Sequence, residues 1–218
     1  MDLRPFGVLI AADYDRAAQQ YRRDDEVEVR TENHQRLGGN LRRICRSFGH
    51  PVRVLELGCG TGRYFHWLED VELLVGTDLS AEMLKRAERP VRHEAVTAAE
   101  VRLLRANLYD LSFEPGSFDF IYSLGVFGHG AALNGELAMR IAGWLAPGGR
   151  LYFDAIEKRE LGRTRELRKS MKSAVRPFLP PAVRRRLAAR EAASIPLLQH
   201  TRADLEAIME GTSSVSRR

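Results

Sequence analysis

The sequence predicts an α/β protein: a doubly wound, mostly parallel sheet with helices on both faces. Three observations carry this expectation. Between residues 52 and 155, short apolar or β-branched runs alternate with helix-like segments. One of those runs, 118–124, is apolar on both faces, as the middle of a parallel sheet requires. A Gly-rich turn at 58–62 directly follows the first run, where an open α/β sheet holds its ligands.

The elements follow in order. Residues 12–22 are polar and Ala-rich and read as a helix, and 27–48 read as a second, with Gly38-Gly39 as a point of interruption. Residues 52–57 alternate and are β-branched, which reads as a strand, and the glycine turn then opens a helix over 63–69. A second strand is expected at 73–78. Ser80 is a candidate N-cap with Glu82 in the first turn, opening a helix that reaches Ala87. Residues 89–100 read as irregular, 101–106 as a third strand and 118–124 as a fourth. A helix over 136–145 is stopped by Pro147-Gly148-Gly149 before a fifth strand at 151–155. Two further helices are expected at 158–175 and 182–193, separated by Pro177, Pro180 and Pro181. Thr201 with Asp204 resembles a capping box for a last helix over 202–210, with Leu205, Ile208 and Met209 inward.

Composition bounds the class. With 218 residues, 44% hydrophobic and 29% charged, the chain can bury a sizeable core and is not disordered. No apolar run approaches the ~18 residues of a membrane span. The short apolar run at 8–12 gives way at once to Asp13 and Asp15, which argues against a secretory signal. Cys45 and Cys59 are too few for a disulfide framework, so a reducing, cytoplasmic setting is expected. The net charge of +5 is unevenly spread: residues 158–190 hold twelve Lys or Arg and two acids, and the remainder of the chain is net acidic. The organisation read from this is an N-terminal helical cap (1–48), an α/β core (49–157), a basic helical lid (158–200), and a last core helix with a short tail (201–218).

The stretch Val54-Leu55-Glu56-Leu57-Gly58-Cys59-Gly60-Thr61-Gly62 joins a strand to a glycine turn. Glycines let the backbone turn sharply and let a ligand approach it. A dinucleotide fingerprint would need a third glycine at position 63, which is Arg63. Asp78 lies 20 residues after Gly58, where an acid can accept both hydroxyls of a ribose.

These residues resemble the first motif of class I, Rossmann-like S-adenosylmethionine-dependent methyltransferases of the type-11/type-25 kind. Four later segments agree in order: Gly76-Thr77-Asp78-Leu79-Ser80, Ala106-Asn107-Leu108, Phe118-Asp119-Phe120-Ile121-Tyr122-Ser123 with Val126-Phe127-Gly128-His129, and Leu145-Ala146-Pro147-Gly148-Gly149. The resemblance implies S-adenosylmethionine as cofactor, with S-adenosylhomocysteine as product. Gly58, Cys59, Gly60, Thr61 and Gly62 would cradle its methionine part, with Glu56 orienting that loop or taking the amino group through water. Asp78 would hold the ribose hydroxyls, and Leu79 and Met83 would border the adenine. Asn107, beside Leu108, would meet the adenine amino group through its side-chain carbonyl. Ser123, Leu124 and Gly125 would floor the site near the sulfonium. In this family the sheet ends in an antiparallel strand pair. Too few residues follow 210 for that pair, so an incomplete C-terminal strand pair is expected, with a homodimer through the open sheet edge as one way to fill it.

The candidate catalytic residues are His129, Tyr14 and Tyr21. His129 follows the fourth strand and has the acid–base range for proton transfer, with capping or packing as the alternative. Tyr14 and Tyr21 are seven apart on the N-terminal helix and share a face. No histidine has metal-ligand spacing, so no metal is expected. The reading is a cytoplasmic methyltransferase acting on a small-molecule acceptor of anionic or lipid-like character. The basic segment 158–190 is a candidate contact for an anionic lipid surface. Two alternatives stay open: an RNA methyltransferase gripping phosphates through that segment, and a cofactor-binding protein without turnover. Nucleic acid is the less favoured partner, because Phe178 is the one aromatic of the segment.

Overall fold

The computed structural model describes residues 4–127 and 131–155. Two helices, α1 (Arg4–Glu28) and α2 (Glu32–Arg46), lead into five strands. The strands are β1 (Val52–Leu57), β2 (Val71–Asp78), β3 (Glu100–Arg105), β4 (Phe118–Phe127) and β5 (Leu145–Ala155). Helix α3 (Ala81–Ala87) follows β2, and α4 (Gly135–Trp144) precedes β5. The strands form one sheet in the order β3-β2-β1-β4-β5, with every pairing parallel. The sequence expectation of a doubly wound parallel sheet is met.

Strand alternation sends side chains into two cores. From β1 and β4, Val52, Val54, Phe120 and Tyr122 enter one core, where α2 contributes Leu41 and Cys45. Leu55, Leu57 and Ile121 enter the other, where α4 contributes Leu137, Ile141 and Trp144. These central strand residues are inaccessible to solvent. That double burial is why 118–124 carries apolar residues on both faces. At the edge, β3 is largely exposed, including Val101 and Leu104.

Several elements depart from the sequence reading. Helix α1 is far longer than 12–22. Helix α2 runs through Gly38-Gly39 without a break. Gly38 is a contact point instead: a Cβ there would lie 2.3 Å from the Trp67 indole, so the helix can approach that ring only with glycine. The helix expected over 63–69 is a single 3-10 turn at Phe65–Trp67. Tyr64, Phe65, Trp67 and Leu68 are all buried, so the segment has no polar face to offer solvent. Its backbone closes by successive three-residue bonds, Gly62 to Cys59, Phe65 to Gly62, Trp67 to Tyr64 and Leu68 to Phe65. Strand β5 begins at Leu145, directly after α4, and the Pro147-Gly148-Gly149 turn is absorbed as an irregular register against Phe118 and Phe120.

The Ser80 cap is present, its hydroxyl accepting from the Met83 N–H at 3.1 Å. The expected helices at 158–175, 182–193 and 202–210, and the expectation of an incomplete strand pair and a dimer edge, lie outside the described residues. No helix among the described residues is long and apolar enough to cross a membrane.

Candidate functional site

A cleft of about 1110 Å³, counted out to its open mouth, lies beyond the carboxyl ends of β1, β2 and β4. Its floor is the glycine loop. Gly60 has φ +53° and a Cβ there would meet nothing within 4 Å, so the backbone at this point is bare toward the cleft. Asp78, at the end of β2, fastens the loop. One of its oxygens accepts from the Gly60 N–H at 2.8 Å and the other from the Ser80 N–H at 2.9 Å. Burial pushes this carboxyl up from its ordinary range, and those backbone N–H groups pull it back.

Glu56 sits beneath the loop and is 2% exposed. Its side-chain partner is the Tyr122 hydroxyl, which donates to Oε2 at 2.6 Å. Burial pushes the Glu56 carboxyl up to about 8, against the opposing pull of the Tyr122 hydrogen bond and of Arg63. Cys59 is buried beside it, and burial raises its thiol as well.

The opposite wall is α1. Tyr14 and Tyr21 both line the cleft, with ring centroids 6.0 Å apart. Burial raises both phenols, so each keeps its proton at neutral pH. Two carboxylates fasten this helix to the core. Asp15 accepts from the Ser80 hydroxyl and from the Glu82 N–H, capping α3 from outside. Asp25, 1% exposed, accepts from the Thr61 hydroxyl and lies 3.6 Å from Arg63.

Twelve of the fourteen predicted cofactor residues line this cleft: Glu56, Gly58, Cys59, Gly60, Thr61, Asp78, Leu79, Met83, Asn107, Leu108, Leu124 and Gly125. Gly62 and Ser123 do not. Gly62 turns the loop and packs on Phe65. The Ser123 hydroxyl donates to the Leu57 carbonyl at 2.9 Å inside the sheet, so it is a strand-to-strand tie and not part of the floor. Asn107 Oδ1 already accepts from the Tyr109 N–H at 3.1 Å, which leaves it one further lone pair. His129 lies outside the described residues. Among those residues no group of three or more His, Cys, Asp or Glu is placed to hold a metal ion.

Sequence reasoning missed Asp25, Arg63 and Tyr109, which also line the cleft. A signal for Asp25 existed. Ala11, Ala18 and Asp25 are seven apart and all buried, so the inward stripe of α1 runs through the acid. His66 and Trp67 are part of a ring stack with His34 under the loop. Trp67 donates its indole N–H to His34 Nε2 at 3.0 Å, and His34 stacks on Tyr64 at 4.6 Å.

Residues 55–153 match the family model described as a methyltransferase domain. The match spans just under half of the chain, and with the parallel sheet order and the cleft it identifies these residues as a methyltransferase domain of the class I fold. An O-methyltransferase, rstn1, from Aspergillus nomiae is 34% identical over 139 residues, covering 59% of this chain and 56% of its own length. An uncharacterized protein from a Synechococcus strain is 36% identical over 107 residues, covering 48% of this chain and 25% of its own length. This chain thus spans about half, or less, of the relatives it matches. Among solved structures, magnesium protoporphyrin IX methyltransferase from Synechocystis with bound S-adenosylhomocysteine superposes with a TM-score of 0.52 at 19% identity, over 82% of this chain and 72% of that one.

Proposed function

We propose that the cleft binds S-adenosylmethionine and that the protein transfers its methyl group to a small-molecule acceptor, with oxygen as the acceptor atom. The observation that carries the reading is Asp78, which clasps the bare glycine loop while lining the same cleft. The residues fit the ligand. Asp78 retains lone pairs for ribose hydroxyls, and Leu79, Met83 and Leu108 give the cleft an apolar side for a purine. Gly60 leaves room for a chain to lie against the backbone. Glu56 is an acid within reach of an ammonium group.

When bound, the cofactor supplies an already activated methyl group, and the protein's task is orientation and exclusion of water. Tyr14 and Tyr21 hold their protons and act as hydrogen-bond donors over the cleft, not as bases. The two carboxylates of α1 keep those phenols in place. The O-methyltransferase relative supports the oxygen acceptor. Calorimetric titration with S-adenosylhomocysteine, with NAD as control, tests the reading. Micromolar binding that is lost in Asp78→Ala is the expected result. A folded chain that binds no S-adenosylhomocysteine overturns it. A screen of small hydroxylated acceptors beside RNA, with isotope-labelled methyl donor, then tests the acceptor class.

A further inference from the structure

Glu56 has an unusual set of neighbours for a carboxylate in a binding cleft. It is buried, and its one side-chain hydrogen bond comes from a neutral phenol, Tyr122. No cation is in ion-pair contact with it among the described residues. Arg63, whose positive charge acts on it through space, is paired with Asp25. A buried carboxylate with no counter-charge is costly, and the ordinary resolution is to take up a proton.

Burial and Asp78 act in this direction, against the Tyr122 hydrogen bond and Arg63. From β4 comes Tyr122, and from the loop after β1 come Cys59, Tyr64 and Arg63. From β2 comes Asp78, a like charge. Helix α2 contributes Cys45, which faces Tyr122. Arg63 alone favours the ionised form through space, and burial outweighs it.

Resting on the reading that the cleft takes S-adenosylmethionine, we propose that Glu56 and Tyr122 form a proton-releasing clasp for the ligand's ammonium group. In the free protein Glu56 is a neutral acid. When the ammonium docks, it provides the missing counter-charge, the Glu56 O–H bond breaks, and the proton leaves to solvent. The product is an ammonium–carboxylate pair whose carboxylate still accepts from Tyr122. Charge balances: one positive charge enters with the ligand and one leaves as a proton. Tyr122 is a positioning residue here. It touches no ligand but stabilises the carboxylate that does.

With burial pushing Glu56 up to about 8, docking near pH 7 releases most of a proton, and the release falls away as pH rises past that value. Affinity therefore rises with pH, by up to about tenfold per unit, while Glu56 is protonated in the free protein, and flattens once it is not. The test is titration calorimetry with S-adenosylhomocysteine in buffers of different ionisation enthalpy, from pH 6.5 to 8.5. 5′-Methylthioadenosine, which lacks the amino-acid end, is the second probe.

The expected result is release with S-adenosylhomocysteine and none with methylthioadenosine. Glu56→Gln abolishes the release and flattens the pH profile. Tyr122→Phe removes the donor that favours the carboxylate, so its half-release point moves to higher pH while the release itself persists. A merely structural Tyr122 would weaken binding at every pH without moving that point. If S-adenosylhomocysteine binds the wild type with no proton release, or releases equally in Glu56→Gln, the clasp is wrong and the cofactor site stands. If it does not bind at all, both fall. The two-ligand comparison on the wild type stays decisive even where a variant fails to fold.

Discussion

The cleft has two walls made in different ways. The loop wall, from β1 to the end of β2, is mostly backbone. Its geometry is set by glycine torsions and by one carboxylate, Asp78, that collects two main-chain N–H groups. The α1 wall is side chain. Two tyrosines face the cleft, and the helix that carries them is held by Asp15 and Asp25, reaching to α3 and to the loop. A wall of backbone depends on a local run of residues. A wall of side chains depends on contacts between segments far apart in sequence, such as Asp25 with Thr61. The loop wall should therefore decide whether the ligand binds, and the α1 wall how firmly it is covered.

The strongest test of this contrast is Asp78→Ala. It strips partners from the Gly60 and Ser80 N–H groups and removes the acceptor proposed for the ribose, so affinity for S-adenosylhomocysteine should fall by about 100-fold or more. Calorimetry reads it directly. An equal loss from an α1 substitution would erase the distinction between the walls.

Acid should act on the support of the loop wall next. Burial holds His34 and His66 down at about 4, while the unfolded chain protonates them near 6.5. At these two sites the unfolded state thus binds more protons between those values, so the pair's own contribution to stability falls as pH drops from 6.5 toward 4, while the raised Glu56 and Asp78 carboxyls act in the opposite direction. Thermal melts of the wild type beside His66→Phe separate the two: the Tm of the wild type relative to the variant should fall as pH drops through this range. A difference in Tm independent of pH would contradict it.

On the α1 wall, Asp25→Ala leaves Arg63 and the Thr61 hydroxyl without their buried partner. About a tenfold loss of affinity is expected. Asp25→Asn keeps an acceptor for Thr61 and should lose less. The smallest effect belongs to Asp15→Ala, which removes the outer cap of α3. It should cost about 1 kcal/mol in a denaturant melt and change ligand affinity less than Asp25→Ala does.

The same contrast explains what was legible in the sequence. The loop wall could be read from residues 54–62 and 76–80, because glycine torsions and a strand-end acid are local properties. The sheet could be read too, since Phe120, Ile121 and Tyr122 are buried toward both cores and their composition shows it. The helix over 63–69 was misread because apolar residues on every side carry no period to tell a helix from a tight turn. The interruption at Gly38 was misread because a glycine that relieves a contact with Trp67 looks the same in sequence as one that ends a helix. Asp25 went unread because a buried acid in a polar helix becomes meaningful only when Thr61 and Arg63 meet it from the loop. Ser123 was assigned to the floor by its place in the chain, but strand alternation turns it toward the Leu57 carbonyl.

The placement of the indoles has a practical consequence. The chain has two tryptophans, and the sheet separates them. Trp67 lies in the core beneath the loop, bonded to His34, which stacks on the cleft residue Tyr64. Trp144 lies in the core on the other side, at the end of α4 against Phe113. Each face of the protein thus carries its own intrinsic fluorophore. Emission from Trp67 senses the ring column under the site, while emission from Trp144 serves as an internal reference for the far side.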